Sequence, residues 1–245
     1  MPNTRLPGPV AGRFFHLCII TDIWCRRITG WEVHERETPE NAAALLERAV
    51  RAEKCVASPL VLHSDNGSPL SGIAGQCPTG ERMKGATMRA TMERLAITAS
   101  FSRSRASNGN AFSEALFRTC KRRPGWPPRS FVGIGAARDW VQAFVAWHNR
   151  EHRHSAIRFV TPGQRHRGGE RALLEKRRQV CELARAARPE RWSGSTQLWT
   201  PIGSVWLNPE RPDEMPGGQG AAGALAREAV GGGPLAGPGE CAASK

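Results

Sequence analysis

Pro59-Leu60-Val61-Leu62-His63-Ser64-Asp65-Asn66-Gly67-Ser68 is the stretch on which the reading of the fold turns. A short apolar run bounded by proline and closed by polar residues reads as a buried β-strand, and Asn66-Gly67 supplies the tight turn that ends it. A carboxylate, Asp65, stands where that strand stops. Upstream, Thr38-Pro39-Glu40 offers an N-cap, a proline at the first helical position and an early acid, ahead of an apolar series from Ala42 to Val50 at helical spacing. Before that helix, Phe14 to Ile23 and Ile28 to Val33 read as two strands of an antiparallel meander. Residues 1–13, with Pro7-Gly8-Pro9 and Gly12, read as a turn. Downstream, Met83 to Leu95 predicts a helix, Ala96 to Phe101 a strand, and Ala111 to Arg123 and Gly135 to His152 two more helices. Strands and helices in this order predict a mixed α/β sheet domain.

Charge narrows the partner. The 245 residues carry 35 Lys and Arg against 22 Asp and Glu, a net +13, and residues 1–211 alone hold 33 against 18. So cationic a surface favours a polyanion, with nucleic acid first and an acidic membrane second. The longest apolar run, Phe14 to Ile20, is too short to span a bilayer and lacks the features of a secretory signal, so a cytoplasmic location is expected. Seven cysteines in scattered positions read as reduced thiols rather than a disulfide framework or a zinc ribbon. Tyrosine is absent while tryptophan occurs eight times.

Two carboxylates in unlike settings carry the chemistry: Asp65 at a strand end and Glu114 on a helix. Such a donor pair with basic residues nearby suits a hard divalent cation and phosphate chemistry. Glu114, Arg118 and Lys121 share one helix face. The competing reading is a surface ion pair between Glu114 and Arg118. Ser102 to Asn110, containing Arg103 and Arg105, has the composition of a basic loop. His148, His152 and His154 are read as a polar helix end rather than a zinc site, and His63 as a packed, hydrogen-bonded histidine. Trp192, Trp199 and Trp206 are expected to form a small local core.

Taken together, Gly12-Arg13-Phe14-Phe15 through Gly30-Trp31-Glu32-Val33-His34-Glu35, His63 to Ser68, Asn110 to Lys121, and Trp147 to His154 with Thr161-Pro162 resemble the integrase core of bacterial insertion-sequence transposases. These are relatives of retroviral integrases. The resemblance implies an RNase H-like mixed sheet flanked by helices, with DNA cleavage and strand transfer by two Asp and one Glu around two Mg2+ or Mn2+ ions. Asp65 and Glu114 match the second Asp and the Glu as catalytic and metal-holding residues, with Lys121, Arg118, Arg103 and Arg105 expected to hold DNA. Expected partners are mobile-element ends and target DNA, with self-association or association with a full-length transposase.

The sequence departs from that pattern twice. The spacing from Asp65 to Glu114 exceeds the family's, and residues 70–82 account for the excess as an insertion beside the metal site. The family's first catalytic Asp falls at Pro2, so a truncated first strand and impaired metal binding are expected, with a catalytically dead DNA-binding remnant as the alternative. Asp22 reads as a structural neighbour of the site, its alternative being a replacement for the missing carboxylate placed across a hairpin from positions 1 to 3. The helix-turn-helix region that such transposases carry upstream is not found in this chain. The expected division is a catalytic core over 1–169, a basic helical and Trp-containing segment over 170–211, and a disordered Gly/Pro/Ala-rich tail over 212–245.

Overall fold

In the computed structural model of the chain, the described residues are 3–56, 58–64, 86–101 and 111–207. The insertion at 70–82, the tail at 212–245, Pro2, Asp65, Arg103 and Arg105 lie outside them.

Three antiparallel strands, β1 (Asn3–Pro7), β2 (Phe14–Thr21) and β3 (Ile28–His34), form a sheet in chain order. Residues 3–7 therefore make a strand where a turn is predicted. Thr4 and Leu6 are the buried members of its two-residue alternation, and its ladder runs from Asn3↔Cys18 to Pro7↔Phe14. Proline is tolerated at Pro7 because it ends the ladder. The turn proper is confined to residues 8–13, where the Gly8 amide donates to the Arg13 carbonyl at 2.9 Å and Gly12 takes φ +81°.

α1 (Pro39–Ala52) begins as its sequence predicts. Thr38 is extended, its hydroxyl accepts from the Asn41 amide at 3.2 Å, and Pro39 opens the helix. The buried side of α1 rests on β3 at Gly30, where an added Cβ would lie 3.1 Å from Leu45 Cδ1 and 3.2 Å from Ala49 Cβ. β4 (Leu60–Ser64) and β5 (Ile97–Phe101) pair in parallel as a second sheet, with α2 (Ala86–Arg94) between them in the chain. Buried residues of α1 and α2 pack with Cys18 and Ile97 in one cluster.

The opposite face of β1–β3, presenting Leu6, Phe15, Leu17, Ile19 and Val33, packs on α3 (Ala111–Arg122) and α4 (Ile134–Arg150) in a second cluster. Cys18 and its neighbours Leu17 and Ile19 thus enter different cores, as a two-residue period requires. Among the described residues no ladder joins β1 to β4. β4 is accordingly less buried than its apolar sequence predicts, and Val61 is 69% exposed.

α4 is tied to the sheet by a side chain that imitates a strand. Asn149 Oδ1 accepts from the Ile28 amide at 3.0 Å, and its Nδ2 donates to the Ile28 carbonyl at 2.9 Å. Asn149→Ala should therefore cost about 1–3 kcal/mol, the penalty for stranding such backbone groups, as measured by chemical denaturation. Beyond α4, α5 (Pro162–His166) starts with a reciprocal capping box between Thr161 and Gln164 and leads into α6 (Glu170–Ala187). Gly163 lies so close to α4 that an added Cβ would meet the Asn149 carbonyl oxygen at 2.6 Å. Of the three tryptophans expected to form a local core, only Trp199 packs on the cluster of Ile157, Val160 and Leu174; Trp192 lies outside that cluster and Trp206 is 72% exposed.

Candidate active site

α3 is amphipathic in the sense its sequence requires. Ser113, Leu116 and Cys120 are buried, while Glu114, Arg118 and Lys121 are exposed. An acid and two bases at i, i+4 and i+7 share that outer face. Among the described residues no hydrogen bond or ion pair joins Glu114 to Arg118, so the ion-pair reading of their spacing is not realised. The start of α3 is held from below, where the Arg26 guanidinium lies 3.9 Å from the centroid of Phe112.

β4 brings the chain to Ser64, which is buried, directly before Asp65. The strand is fixed against β5 by its ladder and by His63 Nδ1 at 3.1 Å from Ser100 Oγ. His63 is thus a hydrogen-bonded histidine, as its sequence context predicts. Of the six predicted site residues, Glu114, Arg118 and Lys121 come together on one face. Asp65, Arg103 and Arg105 lie outside the described residues.

Asp22 is placed differently from its sequence expectation. Asn3 pairs with Cys18, so Asp22 stands four residues past that partner, about 13 Å along an extended chain, and not across from positions 1 to 3. Its carboxylate is engaged by the turn between β2 and β3. It accepts from the Trp24 amide at 2.7 Å, the Cys25 amide at 3.4 Å and the Cys25 thiol at 3.0 Å.

His148 also proves structural. It is buried in α4 and its Nε2 lies 3.0 Å from the Arg26 carbonyl, to which it donates as a neutral imidazole. Burial pushes its pKa down to about 4, opposed by that hydrogen bond and reinforced by His152 and His154. A folded pKa below the ordinary 6.5 means that the unfolded chain binds the proton more readily. Stability from His148 is full above about 6.5 and is lost as pH falls toward about 4. Denaturation curves across this window should show a smaller acid loss for His148→Gln than for the parent. The rings of His148, His152 and His154 pack against one another, and their nitrogens do not form a metal-ligating group among the described residues.

Sequence reasoning missed two features here. Arg26 takes φ +67° in the β2–β3 turn and is nearly buried, although arginine gives no sequence signal for either property. Asp22, Cys25 and His166 converge from distant parts of the chain.

Models of the integrase core domain match residues 2–107 and 95–162. Residues 2–162 thus belong to the integrase core family, and the architecture is mixed α/β, with strands β1–β5 and flanking helices. Among solved structures, it is similar to a chain of the simian T-cell lymphotropic virus intasome in complex with the PP2A regulatory subunit B56 gamma. That match has 13% identity and a TM-score of 0.46, covering 66% of this chain and 51% of the other. It is also similar to the HTLV-2 integrase catalytic core domain in complex with magnesium in a trimeric form, at 11% identity and a TM-score of 0.41, covering 66% of this chain and 91% of that one. The chain spans about half the length of the first of these. No curated protein matches it. No helix among the described residues is long and apolar enough to cross a membrane.

Proposed function

We propose that this chain is the catalytic-domain protein of a bacterial insertion-sequence transposase, acting on DNA through metal-dependent phosphodiester cleavage and strand transfer, with its activity impaired at the first carboxylate position. The observation that carries the reading is the exposed face of α3, where Glu114 stands free of Arg118 and shares its surface with Arg118 and Lys121 in a chain whose residues 2–162 match integrase cores.

Asp65 and Glu114 are the residues that would hold the metal. Two carboxylates fit Mg2+ or Mn2+, which prefer oxygen donors, but Pro2 offers no third carboxylate. When bound, the ions supply Lewis acidity and activate a water or 3′ hydroxyl for attack on a phosphodiester. Lys121 and Arg118 hold the DNA backbone by charge alongside Glu114, and Arg103 and Arg105 extend that contact. Mobile-element ends and target DNA are the proposed substrates, with a second copy or a full-length transposase as the protein partner. The division into a core over 1–169, a basic segment over 170–211 and a tail over 212–245 is part of the same proposal.

Nicking of supercoiled DNA with Mn2+ or Mg2+ tests it. The parent should give slow, metal-dependent nicking that Glu114→Gln abolishes without weakening DNA binding. Lys121→Ala should weaken binding across sequences and reduce the salt dependence by about one counterion. Nicking that survives in Glu114→Gln refutes the assignment. The absence of a carboxylate at position 2 favours a second reading, a DNA-binding remnant without chemistry. Salt-dependent DNA binding with no nicking in the parent would select it.

A further inference from the structure

The turn between β2 and β3 meets α5 at a group of unlike donors. Cys25 Sγ lies 3.0 Å from Asp22 Oδ2 and 3.6 Å from His166 Nδ1, and the three residues' ligand atoms all fall within 4.8 Å of one another. Cys25 is wholly buried, while Asp22 and His166 are partly open. We propose that Asp22, Cys25 and His166 form a binding site for a zinc-type divalent cation that fastens α5 to the β2–β3 turn. The site is separate from the α3 face and does not depend on the function proposed above.

The donor set is one thiolate, one imidazole and one carboxylate, with the fourth position left to water. Soft and borderline ions select thiolate and imidazole, whereas Mg2+ and Ca2+ select oxygen, so the chemistry points away from the hard cations of phosphoryl transfer. Tetrahedral bonds of about 2.3 Å to sulfur and 2.0–2.1 Å to nitrogen put those two atoms about 3.6 Å apart. Cys25 Sγ and His166 Nδ1 already stand at that separation. The sulfur–carboxylate contact is shorter because a thiol proton now bridges it. On binding, that proton leaves to solvent, the thiolate and Asp22 supply two negative charges to one dication, and the bridge opens by about half an ångström.

The histidine is also supported from behind. Its Nε2 lies 3.1 Å from Glu53 Oε2 and 3.2 Å from Arg27 Nη1, and in the tautomer that donates to the carboxylate the Nδ1 lone pair faces Cys25. A carboxylate on the far nitrogen is the usual partner of a metal-ligating histidine. Of the guanidinium groups around the site, Arg27 is paired with Glu53 and Arg165 with Glu170, which reduces their repulsion of a cation, while that of Arg26 lies over the Phe112 ring.

Titration of the full-length chain with Co2+ tests this, because a cobalt–thiolate bond gives a near-ultraviolet charge-transfer band that oxygen-bound cobalt lacks. The parent should develop the band to one equivalent and lose it on addition of Zn2+. Cys25→Ser should abolish it, and His166→Gln should weaken Co2+ binding at least about tenfold. Cys55→Ser and Cys181→Ser should leave it unchanged. Absence of the band in the parent, its survival in Cys25→Ser, or unaltered affinity in His166→Gln overturns the proposal. If Cys25→Ser does not fold by circular dichroism, the partly exposed His166 position decides the question alone.

Discussion

Phe144→Ala should lower the stability of the fold by about 3–5 kcal/mol, the cost of emptying a buried aromatic site. Phe144 is 1% exposed and lies where α4 meets the sheet, in the cluster that includes Leu6, Leu17, Ile19 and Val33. Its ring stacks on Trp140 with centroids 5.6 Å apart and planes 4° from parallel, and it also meets Trp147 and His148. Trp140 in turn meets Trp126 and Phe131 and donates its indole N–H to the Gly125 carbonyl at 2.8 Å. The substitution therefore removes both the plug between helix and sheet and the middle ring of an aromatic series. Against a total stability of about 5–15 kcal/mol, that loss is enough to leave a large unfolded fraction on mild warming. Urea denaturation with circular dichroism would measure it. Phe144→Leu, which keeps most of the volume, should cost less than about 1.5 kcal/mol. Equal losses for the two variants would show that α4 is not held at this point.

Pro2→Asp should raise metal-dependent DNA nicking at least about 100-fold, since even outer partners of a metal site command 10–100-fold effects. Thr4 and Leu6 are the buried members of the two-residue alternation in β1. Leu6 packs in the cluster that receives Leu116 and Cys120 of α3, the helix that carries Glu114. On the function proposed above, an Asp at position 2 is the first of the three carboxylates that hold the metal ions. It would supply negative charge shared between two neighbouring dications, for which a proline offers nothing. Pro2→Asn, which matches the shape without the charge, is the control and should give no gain. Equal nicking by the Asp and Asn variants would remove position 2 from the site.

The helix start at Thr38-Pro39-Glu40 was legible because capping is local chemistry: three adjacent residues contain the whole signal. The strands at 14–21 and 28–34 were legible for a similar reason, since their apolar runs are long and β-branched. β1 was hidden because five residues ending at Pro7-Gly8-Pro9 carry too little pattern to outweigh the turn formers beside them. The strand at 60–64 was read correctly as a strand but wrongly as buried, because burial depends on which strands flank it and not on its own composition. Glu114, Arg118 and Lys121 could be placed on one face from helical spacing alone. Asp22, Cys25 and His166 could not be connected, because 141 positions separate Cys25 from His166 and no periodicity reaches that far.

Asn149 gives the molecule a load path. Its side-chain amide grips the Ile28 backbone, and its own carbonyl is the surface against which Gly163 rests. Arg165, two residues past Gly163, is clasped by Glu170 at the head of α6. A pull on α6 would run through α5 into Asn149 and enter the sheet at the first residue of β3. The six residues of the β2–β3 connection share that tension, because His166 of α5 meets Cys25 at 3.6 Å and Arg27 at 3.2 Å and the Arg165 guanidinium lies 4.4 Å from the Trp24 ring centroid.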